Sequence, residues 1–161
     1  MKKMKKSSHS VLQYGISKVL VASTLVLISV SAFADINDCV KASKEESWQD
    51  AVEICKPLVN DSKEALLLTG NAYAQLEYGK QAQKYLQEYM LKYSAEETNN
   101  IILSNAYMTL GNLYYFKDNY GATRDIKKGL EYITKGAQLG NSIAQEQLGS
   151  IYGSNEAQGV N

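Results

Sequence analysis

Histidine is nearly absent from this chain: its 161 residues contain one, His9. Beyond position 34 there is none, which excludes Ser-His and Cys-His catalytic pairs and any histidine-containing metal site there. No other nucleophile stands beside an obvious base. Clustered positive charge is missing as well. All 17 acidic residues lie beyond position 34, whereas Lys2, Lys3, Lys5, Lys6 and Lys18 precede it. The remainder carries 12 basic against 17 acidic residues, a net charge of −5. A protein that tracks nucleic-acid phosphates needs the opposite balance, so no nucleic-acid partner is expected. Apolar residues nowhere alternate with period two, so no strands are expected. One proline and no Ser/Gly-rich tract argue against a linker and a second domain.

What is present begins with a leader. Four lysines among the first six residues precede an apolar run from Val19 to Val30, which ends in Ser31-Ala32-Phe33-Ala34. A basic start, a short apolar stretch and a small-x-small ending make a Sec-type secretory signal peptide over 1–34, with cleavage after Ala34. A membrane anchor is the rival reading. Twelve helical residues span only about 18 Å against a hydrocarbon core of about 30 Å. No cysteine follows the cleavage site, so lipoprotein processing has no target. The mature chain, 35–161, is expected to be periplasmic or secreted, with no membrane insertion after cleavage.

That chain repeats itself. Leu110-Gly111-Asn112-Leu113-Tyr114 returns 38 residues later as Leu148-Gly149-Ser150-Ile151-Tyr152, and Gly121 is matched by Gly159. A fixed period of this size marks a solenoid of helix pairs, each burying its apolar face against its neighbours. Three and a half units are expected, at about 36–60, 62–93, 100–140 and 142–161. Apolar residues recur at three and four throughout: Trp48, Ala51, Cys55 and Leu58; Ala82, Tyr85, Leu86, Tyr89 and Tyr93; Ile126, Leu130, Ile133 and Ala137. Turns are expected at Lys44-Glu45-Glu46 and at Tyr78-Gly79, the latter because glycine tolerates positive φ. A longer loop is expected over 117–124, and Pro57 should end or kink the second helix.

Cys39 and Cys55 are the only cysteines, and the pattern places one on each helix of the first unit. In an exported chain an even pair reads first as a disulfide. Closing a loop of about 16 residues stabilises by about 3 kcal/mol in the chain-entropy model. A redox-active pair is disfavoured by spacing, which is not Cys-x-x-Cys, and by Lys56 being the only adjacent basic residue. Two thiols are too few for structural zinc. No cofactor or metal is expected.

Units three and four resemble the Sel-one-like repeat, a relative of the tetratricopeptide repeat. The matching residues are Ala106-x3-Leu110-Gly111-x-Leu113-Tyr114, then Gly121-x3-Asp125-x2-Lys128-Gly129-x2-Tyr132-x2-Lys135-Gly136-Ala137-x2-Gly140, then Ala144-x3-Leu148-Gly149-x-Ile151-Tyr152. The loop before Gly121 is two residues longer than usual, and Gly129 and Gly136 replace the customary alanine. Glycine in a helix interior costs about 1 kcal/mol against alanine, so that helix is expected to be weak alone. Gly70-x2-Tyr73 with Ala82-x3-Leu86 is similar to an ordinary tetratricopeptide repeat. Cys39 to Ala51 has the same separation of 12 as Gly70 to Ala82. The resemblance therefore puts Cys39 at the close-packed position facing the second helix, an independent argument for the bridge. It implies an all-α, right-handed solenoid of antiparallel helix pairs.

Function follows from such an architecture as surface rather than chemistry. First helices line the concave face, the usual seat of a peptide. Beside the buried stripes run Glu64, Leu67, Asn71 and Ala74 in unit two, and Asn105, Met108, Asn112 and Tyr115 in unit three. Asn71 and Asn112 each follow a repeat glycine, and an amide both donates to and accepts from peptide backbone. Asn71, Asn105, Met108, Asn112 and Tyr115 are thus the candidate peptide-binding residues, against the alternative of a solvated polar face. Of the tyrosines, Tyr73, Tyr114, Tyr132 and Tyr152 are expected to be buried. The expected function is a non-enzymatic periplasmic adaptor for an unidentified protein or peptide. An enzyme acting on cell wall or β-lactams is the alternative that exported cysteine-rich relatives of the family imply. The last unit stops inside its loop. A crude cap, self-association through the C-terminal half-repeat, and truncation of a longer repeat protein are the three readings, with truncation preferred.

Overall fold

The computed structural model describes residues 35–116 and 120–154, so the leader and the chain end lie outside the described residues. Those residues form seven α-helices and no strand: α1 Ile36–Lys44, α2 Trp48–Cys55, α3 Lys63–Gln75, α4 Gly79–Tyr93, α5 Asn100–Tyr115, α6 Ile126–Gln138 and α7 Ser142–Gly153. Lys56–Leu58 continues α2 as a single 3-10 turn containing Pro57, where the missing amide ends the α-helix as expected. No described helix is long and apolar enough to cross a membrane.

Short polar side chains start most helices. Asp35, Ser62, Asn99, Asp125 and Asn141 each accept a hydrogen bond from an amide of the first turn, which satisfies donors that the helix itself cannot. One device stops α1, α3 and α6. A residue with positive φ (Glu46 at 55°, Glu77 at 64°, Gly140 at 95°) turns the chain. The next amide then bonds five residues back, Ser47 to Ala42, Tyr78 to Tyr73 and Asn141 to Gly136, at 3.0, 2.9 and 3.1 Å. The turn expected at Tyr78-Gly79 therefore comes earlier in the chain. Glu77 takes the left-handed conformation, and Gly79 is the first residue of α4.

Each helix packs on the next, and α1 on α3 and α3 on α5. Three apolar clusters result. Cys39, Ala42, Ala51, Val52, Cys55, Ala65 and Ala72 form the first. Leu66, Leu86, Tyr89, Leu103, Leu110 and Tyr114 form the heart of the second, and Ile133, Ala137, Ala144 and Ile151 the third. Cys39 and Cys55 are fully buried and joined by a disulfide.

The helix pairs meet at points where a side chain is absent or covalently linked. A Cβ on Gly70 would lie 2.8 Å from Leu86 Cγ, and one on Gly111 would lie 2.7 Å from Ile133 Cγ1. On α6, a Cβ at Gly129 would lie 2.6 Å from the Tyr115 amide nitrogen, and one at Gly136 would lie 3.1 Å from the Ser104 carbonyl. The glycines that weaken α6 by propensity are thus what admit it to α5. Cys39 and Cys55 are 16 residues apart, as are Gly70 and Leu86. The disulfide occupies in the first pair the crossing point that glycine occupies in the next two.

Glu97 ties the loop after α4 to the start of α3. The Asn99 amide donates to it at 2.9 Å, and Lys63 Nζ and the Tyr89 hydroxyl donate at 3.1 Å each. The Asn99 amide first, then Lys63, hold its carboxyl below the usual glutamate range, and its side chain is only 7% exposed. A carboxylate with a lowered folded pKa stabilises above its unfolded value and loses that contribution as pH falls through the folded one. Acid unfolding followed by circular dichroism from pH 6 to 2 is therefore expected to be shallower, from about pH 4.5 downward, in Glu97→Gln. Identical acid limbs would refute the role of Glu97.

Candidate functional site

The α5 residues expected to face a ligand lie along the side that meets α6 and α7. Asn112 Oδ1 accepts from Gln147 Nε2 at 2.8 Å, and Asn105 Oδ1 accepts from Asn141 Nδ2 at 2.7 Å. Met108 and Tyr115 are half-buried and pack on the cluster of Ile133, Ala137, Ala144 and Ile151. The Tyr115 ring also meets Phe116 edge-on at 5.3 Å. On α3, Asn71 is half-buried, and its Oδ1 and Gln147 Oε1 are buried without a hydrogen-bond partner among the described residues. Leu67 does not belong to a surface stripe: it is buried in the central cluster. Asn71, Asn112 and Gln147 thus lie on three successive first helices, α3, α5 and α7. An orphaned amide oxygen costs free energy unless something donates to it.

Two polar groups escape a reading of helical periodicity because their partners are far away in sequence. Gln83 is buried on α4, and its amide grips the loop before α6 at two points. Its Nε2 donates to the Thr123 carbonyl and its Oε1 accepts from the Thr123 amide, both at 3.0 Å. No local pattern marks it, since Ala82-x3-Leu86 accounts for the helix without it. Gln83→Ala is expected to lower stability by about 1–2 kcal/mol, two ordinary hydrogen bonds. Gln83→Glu should cost more, because a carboxylate cannot donate to the Thr123 carbonyl and would be buried with its charge. Equal urea midpoints for all three proteins would remove the clamp from the account.

The second group centres on the Tyr114 hydroxyl, which accepts from Gln87 Nε2 and, at 2.8 Å, from Lys128 Nζ. Lys128 lies 4.4 Å from the centre of the Tyr114 ring, and that hydroxyl is the main reason its ammonium titrates above the ordinary lysine value. Tyr132 stacks at a tilt between Tyr107 and Tyr114, 5.8 Å from each. Gln87, Tyr107, Lys128 and Tyr132 line a groove of about 450 Å³ between α4 and α6. Tyr114 is buried, as expected, and Tyr73 and Tyr132 are half-buried. Tyr152 is not: it is 64% exposed, because no described helix covers its side of α7.

Among the described residues no three His, Cys, Asp or Glu side chains gather as a metal site. Compared with protein-family models, curated proteins and solved structures, the chain gives no significant match. The described residues are thus defined by their own geometry as all-helical, with one disulfide.

Proposed function

We propose that this chain is an exported, non-enzymatic adaptor of the Sel-one-like or tetratricopeptide kind, a right-handed solenoid of antiparallel helix pairs. Its first helices hold a peptide or protein segment. The observation that carries this reading is the polar row of Asn71, Asn112 and Gln147 across α3, α5 and α7, with two amide oxygens lacking a donor. A peptide backbone supplies both the donors and the acceptors that side-chain amides can pair with. The leader-like first 34 residues and the bridged cysteines support an oxidising compartment outside the cytoplasm. Met108 and Tyr115 serve this surface from behind, through their packing on the cluster of α6 and α7, and Asn105 adds an exposed amide bonded to Asn141.

The test is site-specific photocrosslinking in the cell envelope, with the crosslinker placed at position 74 beside Asn71. A discrete adduct is expected in the wild type and should be lost in Asn71→Ala with Asn112→Ala, at unchanged helix content. An adduct that persists in the double variant sinks the proposed row.

A further inference from the structure

The crossing points of the helix pairs expose a vacancy on α7. In three successive units the first helix offers one position to the second: Cys39 to Cys55, Gly70 to Leu86 and Gly111 to Ile133. Gly149 is the next position in this register, 38 residues after Gly111. A Cβ there would meet nothing within 4 Å among the described residues. The neighbouring aromatic tells the same story. Tyr73 stacks on Tyr85 of α4 at 5.5 Å, and Tyr114 meets Tyr132 of α6 at 5.8 Å. Tyr152, their counterpart on α7, is 64% exposed, and Ile143 is 61% exposed.

The chain also displays what fits such a face. Both covering helices carry a small residue, two intervening positions, then tyrosine followed by a large aliphatic: Ala82-x2-Tyr85-Leu86 on α4 and Gly129-x2-Tyr132-Ile133 on α6. The aliphatic side chain fills the space over the glycine, and the tyrosine packs on the exposed ring. Beside the face, a groove of about 420 Å³ runs between α6 and Tyr152, flanked by Lys127 and Lys135 with Glu131 between them. Glu131 is paired to Lys135 at 2.8 Å, which leaves Lys127 to face a carboxylate.

We infer that the Gly149–Tyr152 face of α7 is a docking site for an amphipathic helix of another polypeptide. That helix carries the pattern small-x-x-aromatic-aliphatic and an acidic residue toward Lys127. The site continues the α3–α4 and α5–α6 interfaces by one unit, and a helix laid in an apolar groove is a common mode of peptide recognition. It is separate from the polar row, because Gly149 lies about 200° around α7 from Gln147 at 100° per residue.

The probe is a fluorescein-labelled synthetic peptide of residues 78–94, which contains α4 and its pattern. Titrated with the purified chain, disulfide intact, it should show saturable anisotropy. Gly149→Leu, which fills the vacancy without touching the rest of the fold, should weaken binding about tenfold or more, as should Leu86→Asp in the peptide, the scale of a lost buried anchor. Thermal unfolding of Gly149→Leu at or above the parent temperature shows that folding is not the cause. No saturation up to the peptide's solubility limit, or equal binding by Gly149→Leu, overturns the inference. So does a dimer of the chain itself that Gly149→Leu dissociates, since the face would then belong to a second copy.

Discussion

Loss of the Cys39–Cys55 bridge is expected to lower stability by about 2–4 kcal/mol. The reason lies in the company the bridge keeps. Besides the two cysteines, the first cluster buries four alanines and one valine, side chains that remove little apolar area from water. The central cluster has leucines and two tyrosines in the same role. The first helix pair is also the shortest, with nine and eight residues, and isolated helices of that length are marginal. Cross-linking positions 16 apart compensates chiefly by restricting the unfolded chain, which short side chains cannot do. Urea unfolding of the oxidised protein, the reduced protein and Cys39→Ser with Cys55→Ser should separate by that amount. The α1–α2 region should lose its hydrogen-exchange protection first. Coincident curves, or two thiols that react with iodoacetamide in the native protein, would contradict the structural role.

One substitution made at two glycines is expected to act with opposite signs. Gly149→Ala meets open space and should stabilise by about 0.5–1 kcal/mol, the helix-propensity gain. At Gly129 the same propensity gain is available, but the new methyl would lie 2.6 Å from the Tyr115 nitrogen and 2.8 Å from its Cα. Backbone cannot rotate away as a side-chain tip can, so α6 must shift off α5. Overpacking of this kind costs about 1–3 kcal/mol, and Gly129→Val should exceed it. Thermal unfolding of the paired variants gives the sign directly. A Gly129→Ala protein more stable than its parent would mean that the α5–α6 contact is looser than described.

Periodicity in the sequence was sufficient for the helices because they depend on local spacing, whereas the bridge was expected from an even pair of cysteines in a chain read as exported and from the repeat resemblance. Trp48, Ala51, Cys55 and Leu58 share a face whatever surrounds them, and Pro57 ends a helix by its own chemistry. Tyr152 was misread as buried because a repeat match assigns each residue the surroundings of its counterpart. Tyr114 has α6 over it, and α7 has no such cover among the described residues. Leu67 illustrates the converse, since a helix wedged between α2, α4 and α5 buries more than one stripe. The stop after α3 fell on Glu77 rather than Gly79 because the αL residue is fixed by where the helix hydrogen bonds run out, and glycine only makes that conformation easy. Asn105 and Asn112 share one line of α5, but a single helix cannot reveal that Asn141 and Gln147 reach back to them.

The Gln83–Thr123 clamp bears on how the molecule comes apart. Its partners are 40 residues apart and belong to different helix pairs, so neither pair can open without breaking both bonds. Helices α3 to α6 accordingly form one cooperative block, in which a local opening propagates instead of staying confined to a single pair. The α1–α2 end and α7 lie outside that block and can fray without it. The proposed polar row thus has Asn71 and Asn112 on the part of the protein that the clamp holds together, whereas Gln147 and the vacancy lie on α7, which the clamp does not reach.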